Sequence, residues 1–471
     1  MKWWALAAVT LGGFMTFLDN NVGNVALPTI QRDLELTISG LEWIVSSYVL
    51  VFAGLMLAGG RLADVLGARR VFLTGLAIFT LASLAAGLAV SGGMLIAARA
   101  AQGAGAALLA PATLTLIRQT FTDPGERAKA VGIWGAAMPL SMAIGPAAGG
   151  FISEHLHWSW IYLINVPIGV VTAALALWAI APAGDRVRHS LDLPGLVTSA
   201  LALFALTYAL IEGESAGWTS APILACLGLA VLASAAFLLA ERRAAEPMIV
   251  MSLFRSRVFS GGLLITGVWT FGVFGVYFFS ALWLQNVLGF SPTAAGASFV
   301  PMAVVMGVLS VLSQRIAARF GVARTVALGM TFMAVAIFML SRVGAGAGYA
   351  DVAPWFILYG LGGGLLVPLT AAILDGMPGE RTGIASGALN VFRQVFGLLG
   401  ITVLGAILHA RQGASGLPPV AAFLDGYRFT LVIAAVVVLT GVPIALYALR
   451  RGRSAAGDAQ AAAPVAVGSS N

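Results

Sequence analysis

Three ionisable side chains stand inside long apolar runs of this chain: Asp19, Arg99 and Arg393. Asp19 lies in LDNNVGNVALP, with Asn20, Asn21 and Asn24 beside it. A carboxylate in hydrocarbon is costly, so it must face protein or a watery cavity. A carboxyl group so placed can take up a proton when its surroundings face acid and release it otherwise, which is what a proton-coupled process requires. The competing role is structural, as a cap for a kink or loop near Asn24 and Pro28. Arg99 lies in LIAARAAQGAGAA. An arginine does not deprotonate, so its uses are to modulate a nearby carboxylate or to donate to backbone carbonyls. Asp19 and Arg99 fall at the same depth of their runs and are able to meet. Otherwise Arg99 snorkels to the interface. Gln102, Gly103 and Gly105 suit a close helix crossing. Arg393 is a further buried charge with no evident carboxylate partner in its own part of the chain.

The elements that must hold these residues follow from composition. The 471 residues are 59% apolar and 10% charged. Soluble domains carry roughly 25% charge, and a soluble fold this apolar would expose large apolar patches. An ordinary cytosolic enzyme is therefore excluded, and lipid is the solvent. Long apolar runs read as spanning helices at 4–27, 43–63, 71–90, 94–117, 130–153, 160–181, 194–212, 221–240, 259–286, 294–314, 325–343, 354–376, 383–408 and 429–449. The first reads as a span, not a cleaved leader, because it is long and carries Asp19. The fold class expected is an all-α integral membrane protein with 14 transmembrane helices, in which two six-helix halves are related by a pseudo-twofold axis and a two-helix insert separates them. The divisions are 1–181, 182–258 for the insert and linker, 259–451, and a disordered cytoplasmic tail at 452–471.

Other chemistries lack their residues. The lone Cys226 allows no disulfide framework. The four histidines show no metal-ligand spacing. Neither Lys2 nor Lys129 belongs to a phosphate-binding GxxxxGK[ST] loop. No cofactor or metal is expected, and no His/Asp/Glu or Ser/His cluster of an embedded enzyme is visible. With the N-terminus inside, 20 Lys and Arg fall on the cytoplasmic side and 4 outside. That asymmetry orients the chain in the cell membrane with both termini cytoplasmic. It also explains the net charge of +7 without nucleic acid.

GRLADVLGARR (Gly60 to Arg70) aligns at an offset of 254 with QRIAARFGVAR (Gln314 to Arg324), placing Gly67 on Gly321. Parallel repeats of this kind build carriers with a site between two halves. At the same offset Val273 stands where Asp19 does. Gly60, Asp64, Gly67, Arg69 and Arg70 form a short loop readable as an ionic latch or as simple positive-inside retention. SMAIGPAAGG (Ser141 to Gly150) holds Pro146 in mid-helix, which kinks it. Gly145, Gly149 and Gly150 admit a neighbouring helix, as a hinge or as ordinary small-residue packing. Span nine is aromatic, and Phe274, Tyr277 and Phe278 read either as a wall for flat lipophilic substrates or as lipid-facing rings. Asn20, Asn24 and Gln102 complete the candidate cavity. Glu212 and Glu214 fall at a span end and read as solvated.

Together these stretches resemble the fourteen-helix drug:proton antiporter branch of the major facilitator superfamily. LDNNVGNVALP is similar to its first-helix motif, and GGRLADVLGARR to its second-to-third loop motif, with Val65 and Ala68 where basic residues are usual. LIAARAAQGAGAA matches the fourth-helix motif, including the Arg99, Gln102 and Gly103 that the family associates with proton transfer. SMAIGPAAGG resembles the fifth-helix antiporter motif, with Ser141 where Gly is usual. LDLPG (Leu191 to Gly195) and GIASGALNVFRQ (Gly383 to Gln394) resemble the extra helix pair and the thirteenth helix. The resemblance implies a monomer that exports small lipophilic compounds in exchange for protons by alternating access. A narrow exporter of one metabolite, an uptake symporter and a channel stand as alternatives.

Overall fold

The computed structural model describes residues 1–135, 137–181, 192–244, 251–375 and 382–450. The expected tail at 452–471 and residues 245–250 of the linker lie outside them, as do the side chains of Asn20, Asp64 and Glu214. Among the described residues the chain is helical and holds no strand. The first eight helices are α1 (Lys2–Asp33), α2 (Ile38–Leu66), α3 (Ala68–Gly87), α4 (Gly92–Thr120), α5 (Pro124–Gly135), α6 (Ala137–His155), α7 (Trp160–Leu163) and α8 (Asn165–Ala179). Then come α9 (Leu193–Ala216) and α10 (Ala221–Arg243). The remainder are α11 (Arg257–Asn286), α12 (Pro292–Ser298), α13 (Val300–Phe320), α14 (Val322–Leu340), α15 (Tyr349–Gly364), α16 (Val367–Asp375), α17 (Thr382–Ser415) and α18 (Pro419–Ala448).

Among the described residues, 12 helices are long and apolar enough to cross a membrane. They cover the expected spans except 4–27 and 130–153, which fold as α1 and as α5 with α6. The surface shows what solvent this fold needs. In α10 only 17% of the most apolar window is buried, and Val231 and Leu232 are each 70% exposed. A helix apolar on all sides is stable against lipid and not against water.

The sequence echo has a structural counterpart. Gly67 alone joins α2 to α3 with φ 92° and ψ 130°, and Gly321 alone joins α13 to α14 with φ 88° and ψ 146°. Glycine is required there because positive φ brings a Cβ against the following carbonyl. The helix crossings repeat as well. A Cβ on Gly103 of α4 would strike the Tyr48 carbonyl of α2, and one on Gly360 of α15 would strike the Met302 carbonyl of α13. Met302 is Tyr48 displaced by the same 254 positions.

Gly67→Ala is expected to destabilise the protein by about 1–2 kcal/mol, read as a lower melting temperature in detergent. Gly132→Ala is the control. Gly132 is an exposed helical glycine with open space around its Cβ position, where alanine stabilises by about 0.5–1 kcal/mol.

Candidate functional site

The Gly103 crossing brings α4 against α2 and turns Arg99, one helical turn earlier, into the interior. Arg99 is 4% exposed and Asp19, on α1, is 1% exposed. Arg99 Nη1 forms an ion pair with Asp19 Oδ2. Gln102 Nε2 donates to Asp19 Oδ1 at 3.1 Å and to Ser83 Oγ of α3 at 2.7 Å, while Gln102 Oε1 accepts from Arg99 Nη1 at 2.9 Å. Asn165 Nδ2, from α8, donates to Asp19 Oδ1 at 2.9 Å. The Arg99 guanidinium also lies over the Tyr48 ring at 4.3 Å, and its Nε donates to the Ile44 carbonyl at 3.3 Å.

Side chains of α4 and α8 therefore converge on the α1 carboxylate, and α2 and α3 brace them, so five helices share the network. The pair is electrically neutral and both Asp19 oxygens are satisfied. Removing either partner of such a buried pair costs about 3–5 kcal/mol, because the other charge is left uncompensated. A cavity of about 10 Å³ lies beside Arg99, lined in part by Asn24, Ile44 and Tyr162. That volume is near the lower limit for one water molecule.

The candidate aromatic wall divides. Phe274 lies over Gly397 of α17, where a Cβ would be 3.0 Å from its ring. Tyr277 meets Phe299 edge-on at 4.6 Å, and its hydroxyl has no hydrogen-bond partner. Phe278 is fully buried and packs on Phe279 at 4.8 Å. At the offset of 257 that relates Gly103 to Gly360, Arg99 corresponds to Phe356, which stacks on Phe299 at 5.0 Å. The second set of helices thus carries a stacked ring where the first carries Arg99.

Gly60 packs at ordinary distance on Pro111 of α4. Arg69 donates from Nη2 to the Leu177 carbonyl at 2.9 Å, and Arg70 is exposed. Arg393 projects from α17 to 5.7 Å from the Trp269 ring, and its Nε is buried without a hydrogen bond.

The SMAIGPAAGG stretch makes two kinds of contact. Within the first set of helices, Asn21 Nδ2 donates to Ser141 Oγ at 3.4 Å, Gly145 lies against Asn21, and Gly149 lies against the Val22 carbonyl. Across to the second set, Gly150 lies against the Pro292 carbonyl and Gly296 of α12 against the Pro146 carbonyl. The Thr293 amide donates to Glu154 Oε2 at 2.9 Å, and Gln285 Nε2 donates to the Val25 carbonyl at 2.7 Å. These bonds form a seam between the two sets, at the end of the bundle remote from Met1.

Three residues escaped the sequence reading. Asn165 left a faint signal as a lone amide in WIYLINVPIGV, and Ser83 left none. Glu42 precedes the expected span 43–63 by one residue and drew no reading. The structure places it inside α2 and fully buried, facing Gly405 of α17 across the same seam. Glu212 needs a correction too. It is half-buried and accepts from Trp43 Nε1 at 2.7 Å, so the solvated role expected for it does not hold. The cause is α9 packing against α2, which linear order does not reveal.

Membrane-spanning helices in two similar sets, meeting at close glycine crossings and enclosing a buried charge network, define a multi-pass membrane transporter. The chain belongs to the Major Facilitator Superfamily, whose model matches residues 9–401. It is 36% identical to the puromycin resistance protein of Streptomyces alboniger, over 98% of this chain and 94% of that one. It is 36% identical to the methylenomycin A resistance protein of Streptomyces coelicolor, over 86% and 85%. It is 38% identical to the cephamycin export protein of Amycolatopsis lactamdurans, over 94% and 92%. Among solved structures it resembles in fold a bacterial homologue of the human lysosomal transporter Spinster. The TM-score is 0.68 at 16% identity, covering 95% of this chain and 97% of that one.

Proposed function

We propose that this transporter exports small lipophilic compounds from the cytoplasm in exchange for protons. In this reading fourteen helices cross the membrane, both termini are cytoplasmic, and α9 and α10 are inserted between two six-helix halves. The protein works as a monomer by alternating access. One observation carries the coupling: Asp19 is the single carboxylate at the centre of a buried five-helix network, with Arg99 as its counter-charge. Protonation of Asp19 from outside loosens its bond to Arg99 and releases substrate. Return to the inward-facing state lets the proton leave to the cytoplasm, and the ion pair re-forms as substrate binds.

The energetics suffice. One charge moving through 100 mV supplies roughly 2.3 kcal/mol, which sustains a substrate gradient of roughly fortyfold at about 1.4 kcal/mol per tenfold. Export is supported by the resistance and export functions named for the relatives. Each of those names carries a small-molecule antibiotic, which supports the substrate class. The test uses inverted membrane vesicles, an imposed proton gradient and a quenched pH dye. The panel holds lipophilic cationic, neutral and anionic compounds. Fluorescence recovery with a few members is the expected result. Substrate accumulation with no proton movement would sink the exchange with protons.

A further inference from the structure

Glu42 is fully buried at the seam, and neither of its carboxylate oxygens has a hydrogen-bond partner. Its carboxyl fills the space beside Gly405 of α17, where a Cβ would collide with it. His409, one turn further along α17, approaches with Nδ1 4.0 Å from Glu42 Oε1. Among the described residues, the other elements packed on α2 bring no free cation to it, and Arg411 of α17 is paired with Asp425. From α9 come Glu212, which adds a second carboxylate, and Tyr208 against Trp43. From α4 comes Arg99, whose Nη1 is committed to Asp19 while its Nε bonds the Ile44 carbonyl. On α1, Arg32 bonds its own Pro28 carbonyl and Asp33 accepts from Trp158 Nε1. Arg69 and Arg70 of α3 lie at the opposite end of α2.

We propose that Glu42 and His409 form a second proton-binding site, which holds one proton while the seam between α2 and α17 is shut and gives it to water when the seam opens. An ionised carboxylate without hydrogen bonds in a dry interface is far costlier than a neutral one. The shut seam therefore retains one proton on the pair, carried by the Glu42 carboxyl or by the His409 imidazole. Opening separates α2 from α17 and hydrates Glu42, which then ionises. Because the proton exchanges with the side on which the seam opens, it is not carried across. It sets instead how readily the carrier turns, so acid on that side favours the shut state. This rests on the alternating-access reading only in requiring the seam to open.

The test uses the full chain in detergent, with Cys226→Ser and spin labels on cysteines introduced at Ser39 of α2 and Ala414 of α17. Distance distributions by electron double resonance are recorded from pH 5 to pH 8. Release of one proton on opening raises the open-to-shut ratio up to tenfold per pH unit. Glu42→Gln, an uncharged mimic of the protonated side chain, is expected to stay shut and to lose the parent's rise in opening with pH. Gly405→Ala, which crowds the carboxyl but keeps it, is expected to raise the open-to-shut ratio by a similar factor at every pH and retain the slope. Asp19→Asn is expected to keep the parent's slope, so loss of proton-driven export in that variant bears on Asp19 alone. A parent flat across this range, or a Glu42→Gln chain that follows the parent's pH course, overturns the proposal.

Discussion

Asp19→Asn is expected to abolish substrate-driven proton movement in inverted vesicles, with a loss of at least about a hundredfold in coupled export. An effect of that size corresponds to about 2.7 kcal/mol at 1.36 kcal/mol per tenfold, which is within what one buried charge contributes. The same change leaves Arg99 without its counter-ion. Its cost to stability is about 3 kcal/mol, the lower end for a broken buried pair, because the Asn carbonyl still accepts from the guanidinium. A double variant, Asp19→Asn with Arg99→Gln, separates the two effects. Its melting temperature is expected to recover, since no unpaired charge remains, and its coupled export is not. Recovery of export in the double variant would mean that Asp19 serves the fold and not the coupling. Two substitutions in direct contact are expected to be non-additive in stability, which a double-mutant cycle measures.

The second large effect belongs to the seam. Gly150→Ala sets a Cβ on the Pro292 carbonyl, and Gly296→Ala sets one on the Pro146 carbonyl. Both obstacles are backbone, so no side-chain rotation relieves them, and overpacking of this kind costs about 1–3 kcal/mol. The two sets of helices must move apart to accommodate it. Transport is expected to fall by an order of magnitude or more, with a longer α2 to α17 label distance and with substrate binding retained. Gly149→Ala is the contrasting variant. Its new methyl meets the Val22 carbonyl of α1, inside one set of helices, so it should lower the melting temperature without lengthening that distance. Equal label distances in all three variants would show that the glycine contacts do not hold the seam.

The pairing of Asp19 with Arg99 was legible in the sequence because each is a charge in an otherwise apolar run, and lipid leaves such a charge few alternatives to a partner. Gln102 was read for a close helix crossing and for the cavity, and only the family resemblance tied it to proton transfer. Asn165 and Ser83 were not legible, since a neutral polar side chain in a span has several inexpensive ways to be satisfied. The SMAIGPAAGG stretch was readable as a surface for close packing, but not as one that faces two neighbours at once. Its residues alternate between α1 and α12 because successive helical positions turn about 100° apart.

Composition and order alone determined that this chain lives in a bilayer, that it is helical throughout its spans, and that it contains a repeat. Those properties follow from the solvent and from hydropathy period, which are one-dimensional. Tertiary structure decided the rest. It set Glu42 against Gly405 and His409, more than 360 positions away. It also gave the charge network to one set of helices and the aromatic stack to the other. The physical reason is that a buried group's energy depends on which helices surround it, and helix neighbours in lipid are chosen by close packing between surfaces far apart in the chain.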